Sequence, residues 1–199
     1  MNTAAGSLDH LVARARACTL CADHLPLGPR PLLQAGTGAR ILIAGQAPGR
    51  RAHASGIPFD DASGDRLRGW LGLERAQFYD ASRIAIIPMG LCYPGTGAHG
   101  DLPPRPECAP AWRAPLLEQL PHTELTLVLG RHALAWHLPR HARATLSELL
   151  LAWLAQPTPV IPLPHPSPRN QAWMKRHPWF GEQVLPLLRQ RVAQALASR

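Results

Sequence analysis

Two short proline-framed segments hold the side chains best able to do chemistry in this 199-residue chain. The first, Gly45-Gln46-Ala47-Pro48-Gly49, follows the apolar run Ile41-Leu42-Ile43-Ala44. The second, Pro164-His165-Pro166-Ser167-Pro168-Arg169-Asn170, follows Val160-Ile161-Pro162-Leu163. In a parallel sheet the carboxyl ends of the strands border one crevice, where ligands bind. Two such turns would set Gln46 and His165 across one pocket. A histidine there can donate a hydrogen bond to negative charge that develops during a reaction, and one such donor is worth about 3–4 kcal/mol. The Gln46 amide can hold a polar edge or orient a water, but a neutral amide is a poor general base.

Four cysteines form a second constellation. Cys18-Thr19-Leu20-Cys21 leaves two residues between thiolates, so both can point at one metal corner. Cys92 and Cys108 bracket a Pro/Gly-rich stretch, Tyr93 to Glu107, which has few hydrogen bonds of its own and gains order from a clip. In a reducing compartment four thiolates suit a [4Fe–4S] cluster or a tetrahedral zinc rather than disulfides. Buried free cysteines are the plainer alternative. No redox-partner motif accompanies them, so a structural part is expected, pinning the amino-terminal segment to the Tyr93–Glu107 loop.

Lys and Arg total 21 against 13 Asp and Glu, a formal net charge of +8. That surplus favours a polyanion such as nucleic acid, an ordinary basic protein being the alternative. At 46% hydrophobic and 17% charged, the composition is that of a globular chain, read as one domain over residues 1–199 and as a monomer. No run approaches the ~18 apolar residues of a membrane span. Met1 to Ser7 lack the basic start and apolar stretch of a signal peptide, so cytoplasmic residence is expected.

The elements that must position these residues read as alternating α and β. Ser7 caps a helix through Leu8, Leu11, Val12 and Ala15. Strand one is expected over Arg40–Ala44 and a helix over Ser63–Leu71. Strand two follows over Arg83–Ile87, a continuous apolar run of the buried parallel type. Helices are expected at Cys108–Leu120 and His132–Leu138, with strand three, Leu125–Leu129, between them. Thr145-Leu146-Ser147-Glu148 is a capping box opening a helix to Ala155. Strand four is Val160–Leu163, and an amphipathic helix, Glu182–Ser198, closes the chain. The expected fold is therefore a three-layer α/β/α domain around a four-stranded parallel sheet.

Over residues 8 to 190 the chain resembles the uracil-DNA glycosylase superfamily, and within it the iron–sulfur, family-four branch. Gly45–Gly49 matches that family's first motif and His165-Pro166-Ser167 its second. Gly56-Ile57-Pro58-Phe59 with Ala62-Ser63-Gly64 matches the segment whose phenylalanine stacks on an extruded base. Cys18, Cys21, Cys92 and Cys108 stand where the branch holds its cluster. Each motif is short, but four in order with compatible spacing are specific.

The resemblance implies hydrolysis of the N-glycosidic bond of a flipped, deaminated base, with uracil foremost. His165 would stabilise the departing base anion and Gln46 would orient the water. Gly45, Ala47, Phe59 and Ser167 would hold the base, while Arg169, Asn170, Lys175 and Arg176 would grip DNA. Trp173 and Trp179 fit either a DNA wedge or the core.

Two departures stand out. The superfamily's strongest water activators carry aspartate where this chain has Ala47, and the family-four branch usually has glutamate where Gln46 stands. Asp60, Asp61 and Asp65 are the only carboxylates near in sequence, and they equally suit a solvated helix start. The branch's uracil-reading asparagine, four residues before the third cysteine, is Pro88 here, which has neither a side-chain donor nor a backbone N–H. A catalytically weak or inactive lesion-binding member, or a zinc-stabilised protein acting on free nucleosides, are the competing readings.

Overall fold

In chain order the computed structural model, which describes residues 7–98, 100–141 and 143–197, contains α1 (Leu8–Arg16), β1 (Ile41–Ala44), α2 (Arg50–Ser55), α3 (Ala62–Leu71), α4 (Arg75–Phe78) and β2 (Ile84–Ile86). A two-stranded hairpin follows, β3 (Thr96–Gly97) and β4 (Gly100–Asp101), then α5 (Cys108–Glu118), β5 (Leu125–Leu129), α6 (Arg131–His137), α7 (Leu146–Ala155), β6 (Val160–Leu163), α8 (Gln171–Arg176) and α9 (Leu185–Ala197). The expected leader-free start at residues 1–6, the helix end at Ser198 and His99 of the Tyr93–Glu107 loop lie outside the described residues. Among the described residues no helix is long and apolar enough to cross a membrane.

Four strands form one parallel sheet in the order β2-β1-β5-β6. Side chains alternate between its faces, which is why the apolar runs are continuous: both faces are covered. Ile41, Ile43, Ile84, Ile86 and Leu127 enter one core with Leu67 and Trp70 of α3, Trp153 of α7 and Leu188 of α9. Leu42, Ala85 and Ile87 enter the opposite core with Leu8 and Val12 of α1 and Leu116 of α5. The α/β/α arrangement is therefore as the sequence predicts.

Edges explain the residues that break the pattern. Pro162 sits in β6, which among the described residues pairs with β5 alone, and an edge strand tolerates a missing N–H. At the other edge, Gln34 bridges Ile86 antiparallel, and its side-chain amide donates to the carbonyls of Phe78 and Ile84 at 3.1 and 2.8 Å. That segment covers the open edge of β2.

Several elements differ from expectation. Strands one and two begin at Ile41 and Ile84, one residue later than read, and β2 stops at Ile86. The closing helix opens with a π-helical turn, Phe180–Val184, before α9. Pro186 lacks the N–H that would close an ordinary α-turn there. Short α2, α4 and the β3–β4 hairpin were not evident from periodicity, being too brief to show any.

Candidate active site

A cleft of about 560 Å³ opens at the carboxyl ends of β1, β2 and β6. The first loop, Gly45 to Gly49, forms one wall and the second, from His165 to Asn170, the other, with Phe59, Pro88 and Asp101 between them. Both loops therefore line one cleft.

The first loop is clamped by the turn after β2. Met89 N–H donates to the Gly45 carbonyl and Gly90 N–H to the Gln46 carbonyl, both at 2.9 Å. The Gln46 side-chain amide donates to the Leu102 carbonyl at 3.0 Å, so this side chain braces the hairpin loop. Gly45 packs so closely that a Cβ there would lie 3.4 Å from the Phe59 ring.

Phe59 is the one non-glycine residue with positive φ, 57°, among those described. Such backbone is uncommon outside glycine and clusters at functional sites. Two contacts enforce it: a Cβ on Gly64 would fall 1.7 Å from the Phe59 carbonyl oxygen, and the Phe59 ring meets Phe78 edge-on at 6.3 Å. The ring is half-buried and lines the cleft.

On the second loop, the Ser167 backbone N–H donates to His165 Nδ1 at 3.2 Å. An accepting Nδ1 assigns the neutral ring's proton to Nε2, which leaves Nε2–H as a donor. Burial holds the imidazole below its ordinary pKa, opposed by the carboxylates of Asp61 and then Asp101. Asn170 Nδ2 donates to the His165 carbonyl at 2.7 Å, and Arg66 Nη1 of α3 donates to the Pro166 carbonyl at 3.2 Å. Ser167 Oγ accepts from the Arg169 N–H at 3.3 Å. Ser167 and Asn170 are thus struts of the loop as well as wall residues.

Asp60, Asp61 and Asp65 part company. Asp60 pairs with Arg75 at 2.9 Å and Asp65 pairs with Arg68, whereas Asp61 lines the cleft while capping α3, its Oδ1 accepting from the Gly64 N–H at 2.9 Å. Sequence reasoning missed Asp101, the cleft's other carboxylate, which arrives on β4. Pro88 lines the cleft and offers no donor there.

Arg169 lines the rim and lies over Gly100, where φ is 125° and a Cβ would fall 1.8 Å from Arg169 Nη1. Lys175 and Arg176 stand exposed on α8, beyond the cleft. Trp173 and Trp179 pack against the main core, and Trp173 stacks on His177 at 4.4 Å, which favours their core role over a wedge.

The family model described as "Uracil DNA glycosylase superfamily" matches residues 34–189. The chain belongs to that superfamily. The matched span holds both cleft loops, Phe59 and two of the four cysteines, while Cys18 and Cys21 precede it.

All four cysteines are free thiols. Cys21 and Cys92 pack with Leu25 in a small cluster; Trp112 Nε1–H donates to Cys18 Sγ and Leu91 N–H to Cys108 Sγ, each at 3.2 Å. Burial pushes Cys92 up to about 12 and Cys108 up to about 11, and each also feels Cys18 and Cys21. Cys21 and Cys92 are therefore neighbours across two chain segments. Among the described residues, no three His, Cys, Asp or Glu side chains form a group arranged to hold a metal ion.

Proposed function

We propose that this superfamily member is a DNA glycosylase that removes a deaminated base, with uracil as its leading substrate, and that it belongs to the iron–sulfur, family-four branch. The observation that carries the reading is the cleft itself: a neutral His165 with Nε2–H free to donate, facing a Gly45–Gly49 loop beside a half-buried Phe59. An extruded base stacks on the Phe59 face. As the N-glycosidic bond breaks, charge develops on the base, and the His165 Nε2–H is placed to stabilise it. Gly45, Ala47 and Ser167 line the base pocket. Arg169, Lys175 and Arg176 supply cations for DNA phosphates along the second loop and α8, with Asn170 holding that loop in register.

The four thiols fit a [4Fe–4S] cluster in donor type, with zinc as the competing occupant, and Cys21 already packs beside Cys92. Such a cluster would supply a covalent tie between the amino-terminal segment, the hairpin loop and α5.

Incubation with oligonucleotides bearing uracil, hypoxanthine or xanthine, followed by alkali, tests the reaction. Strand breakage at one of these bases is expected. Retardation of the oligonucleotide without breakage would instead support the lesion-binding reading, which is motivated by Pro88 and by the engagement of the Gln46 amide with Leu102.

A further inference from the structure

We propose that Asp101 is the carboxylate that accepts the proton of the attacking water, an assignment that rests on the glycosylase reading above. Neither Gln46 nor Ala47 can act as a base, so the proton needs another acceptor. The cleft wall contains two carboxylates, Asp61 and Asp101. They converge at Gly49, where a Cβ would lie 3.5 Å from Asp101 Oδ2 and 3.6 Å from Asp61 Oδ2. Both also act electrostatically on the His165 imidazole.

The two differ in what holds them. Asp61 Oδ1 is committed to the α3 N-cap through Gly64, whose own position is locked against the Phe59 carbonyl. Asp101 Oδ1 instead accepts from Thr96 Oγ1 at 3.1 Å, across a directly opposed β3–β4 pair. A hydroxyl has one proton, and Thr96 gives its own to the carboxylate. The 2.6 Å contact between Tyr93 and Thr96 must then run from the Tyr93 hydroxyl to Thr96 Oγ1. The hydrogen bonds thus point one way, Tyr93 to Thr96 to Asp101, and leave Asp101 Oδ2 for the cleft. A base oriented by a further group in this manner is the arrangement expected of activated chemistry. Asp101 is also exposed, so water reaches it.

The step balances without any further reactant. The bond between C1′ and the base nitrogen breaks, its electron pair leaving with the base, whose anion accepts a hydrogen bond from His165. Water oxygen bonds to C1′, and its proton passes to Asp101 Oδ2. Asp101 then returns the proton to solvent, and the freed base anion takes one up.

Single-turnover excision of whichever base the native protein removes, measured with binding isotherms alongside, tests the assignment. Asp101→Asn should slow excision about 100-fold or more, the usual worth of a general base, while DNA affinity holds or rises. Asp101→Glu should recover part of the rate, Thr96→Val should cost less than Asp101→Asn, and Asp60→Asn, outside the cleft, should change nothing. Asp101→Asn excising at the native rate, or losing less of it than Asp61→Asn, overturns the assignment and leaves the glycosylase reading intact. A native protein that leaves every base in the panel untouched defeats both.

Discussion

His165 shows how a single backbone contact decides what a side chain can do. By accepting the Ser167 N–H, Nδ1 fixes the neutral tautomer, and protonating it would break that bond. Burial works in the same direction. The ring is therefore built to donate to a developing anion rather than to transfer a proton. His165→Ala should lower the single-turnover excision rate about 100-fold or more with DNA affinity little changed, because the lost interaction exists mainly in the transition state. Equal losses of rate and affinity would mean that the histidine only holds its loop together. His165 and Gln46 were legible in the sequence because both end apolar runs in proline-framed turns. Asp101 was not, because nothing local reveals that its loop folds back over the first motif.

At the scale of elements, the strands were legible because continuous apolar runs between turn residues admit few alternatives. The hairpin and the short helices were opaque because two- to six-residue elements take their shape from tertiary contacts. Phe59 is the clearest example. Its aromatic identity can be read in sequence, but its left-handed backbone is imposed by Gly64 at the first turn of α3. Gly64→Ala would drive a methyl into the Phe59 carbonyl. The expected cost is about 1–3 kcal/mol of stability, a fall in melting temperature of several degrees, and a loss of excision beyond that accounted for by unfolding. Thermal unfolding and single-turnover rates on the same preparation check this. An unaltered melting temperature would show that the turn has slack to give.

A second element-scale expectation concerns α6 and α5. Arg113 is almost wholly buried, donates to the Ile87 carbonyl at 2.8 Å and contacts His137 Nε2. Burial first, then the Arg113 charge, holds His137 down to about 4. The folded state therefore binds fewer protons than the unfolded chain between about pH 4 and 6.5. The stabilisation is complete above pH 6.5 and is lost progressively as pH falls toward 4, by an amount on the order of 3 kcal/mol. His137→Gln keeps an acceptor for Arg113 but cannot titrate. Urea midpoints measured from pH 7 to 4 should fall less steeply in that variant, and parallel slopes would show that the acid sensitivity lies elsewhere.

Across the whole molecule, the cysteines and the cleft are parts of one assembly. Cys92 and Cys108 bracket the segment that contains Tyr93, Thr96, Asp101 and the Leu102 carbonyl to which Gln46 binds. A tie between Cys92 and Cys108 would therefore also steady the segment that contributes Asp101 to the cleft. Burial disfavours the Cys92 and Cys108 thiolates, so only a bound cation would make their deprotonation favourable. Protein purified without oxygen should contain about four irons per chain, and Cys92→Ser should lose the iron, unfold at lower temperature and excise more slowly. The link to the cleft predicts an order of effects: Cys92→Ser should reduce excision even at temperatures where it remains folded by circular dichroism. Zinc in place of iron would reassign the metal and leave the tie intact, whereas a metal-free chain with native stability and rate would show that packing alone holds the hairpin over the first loop.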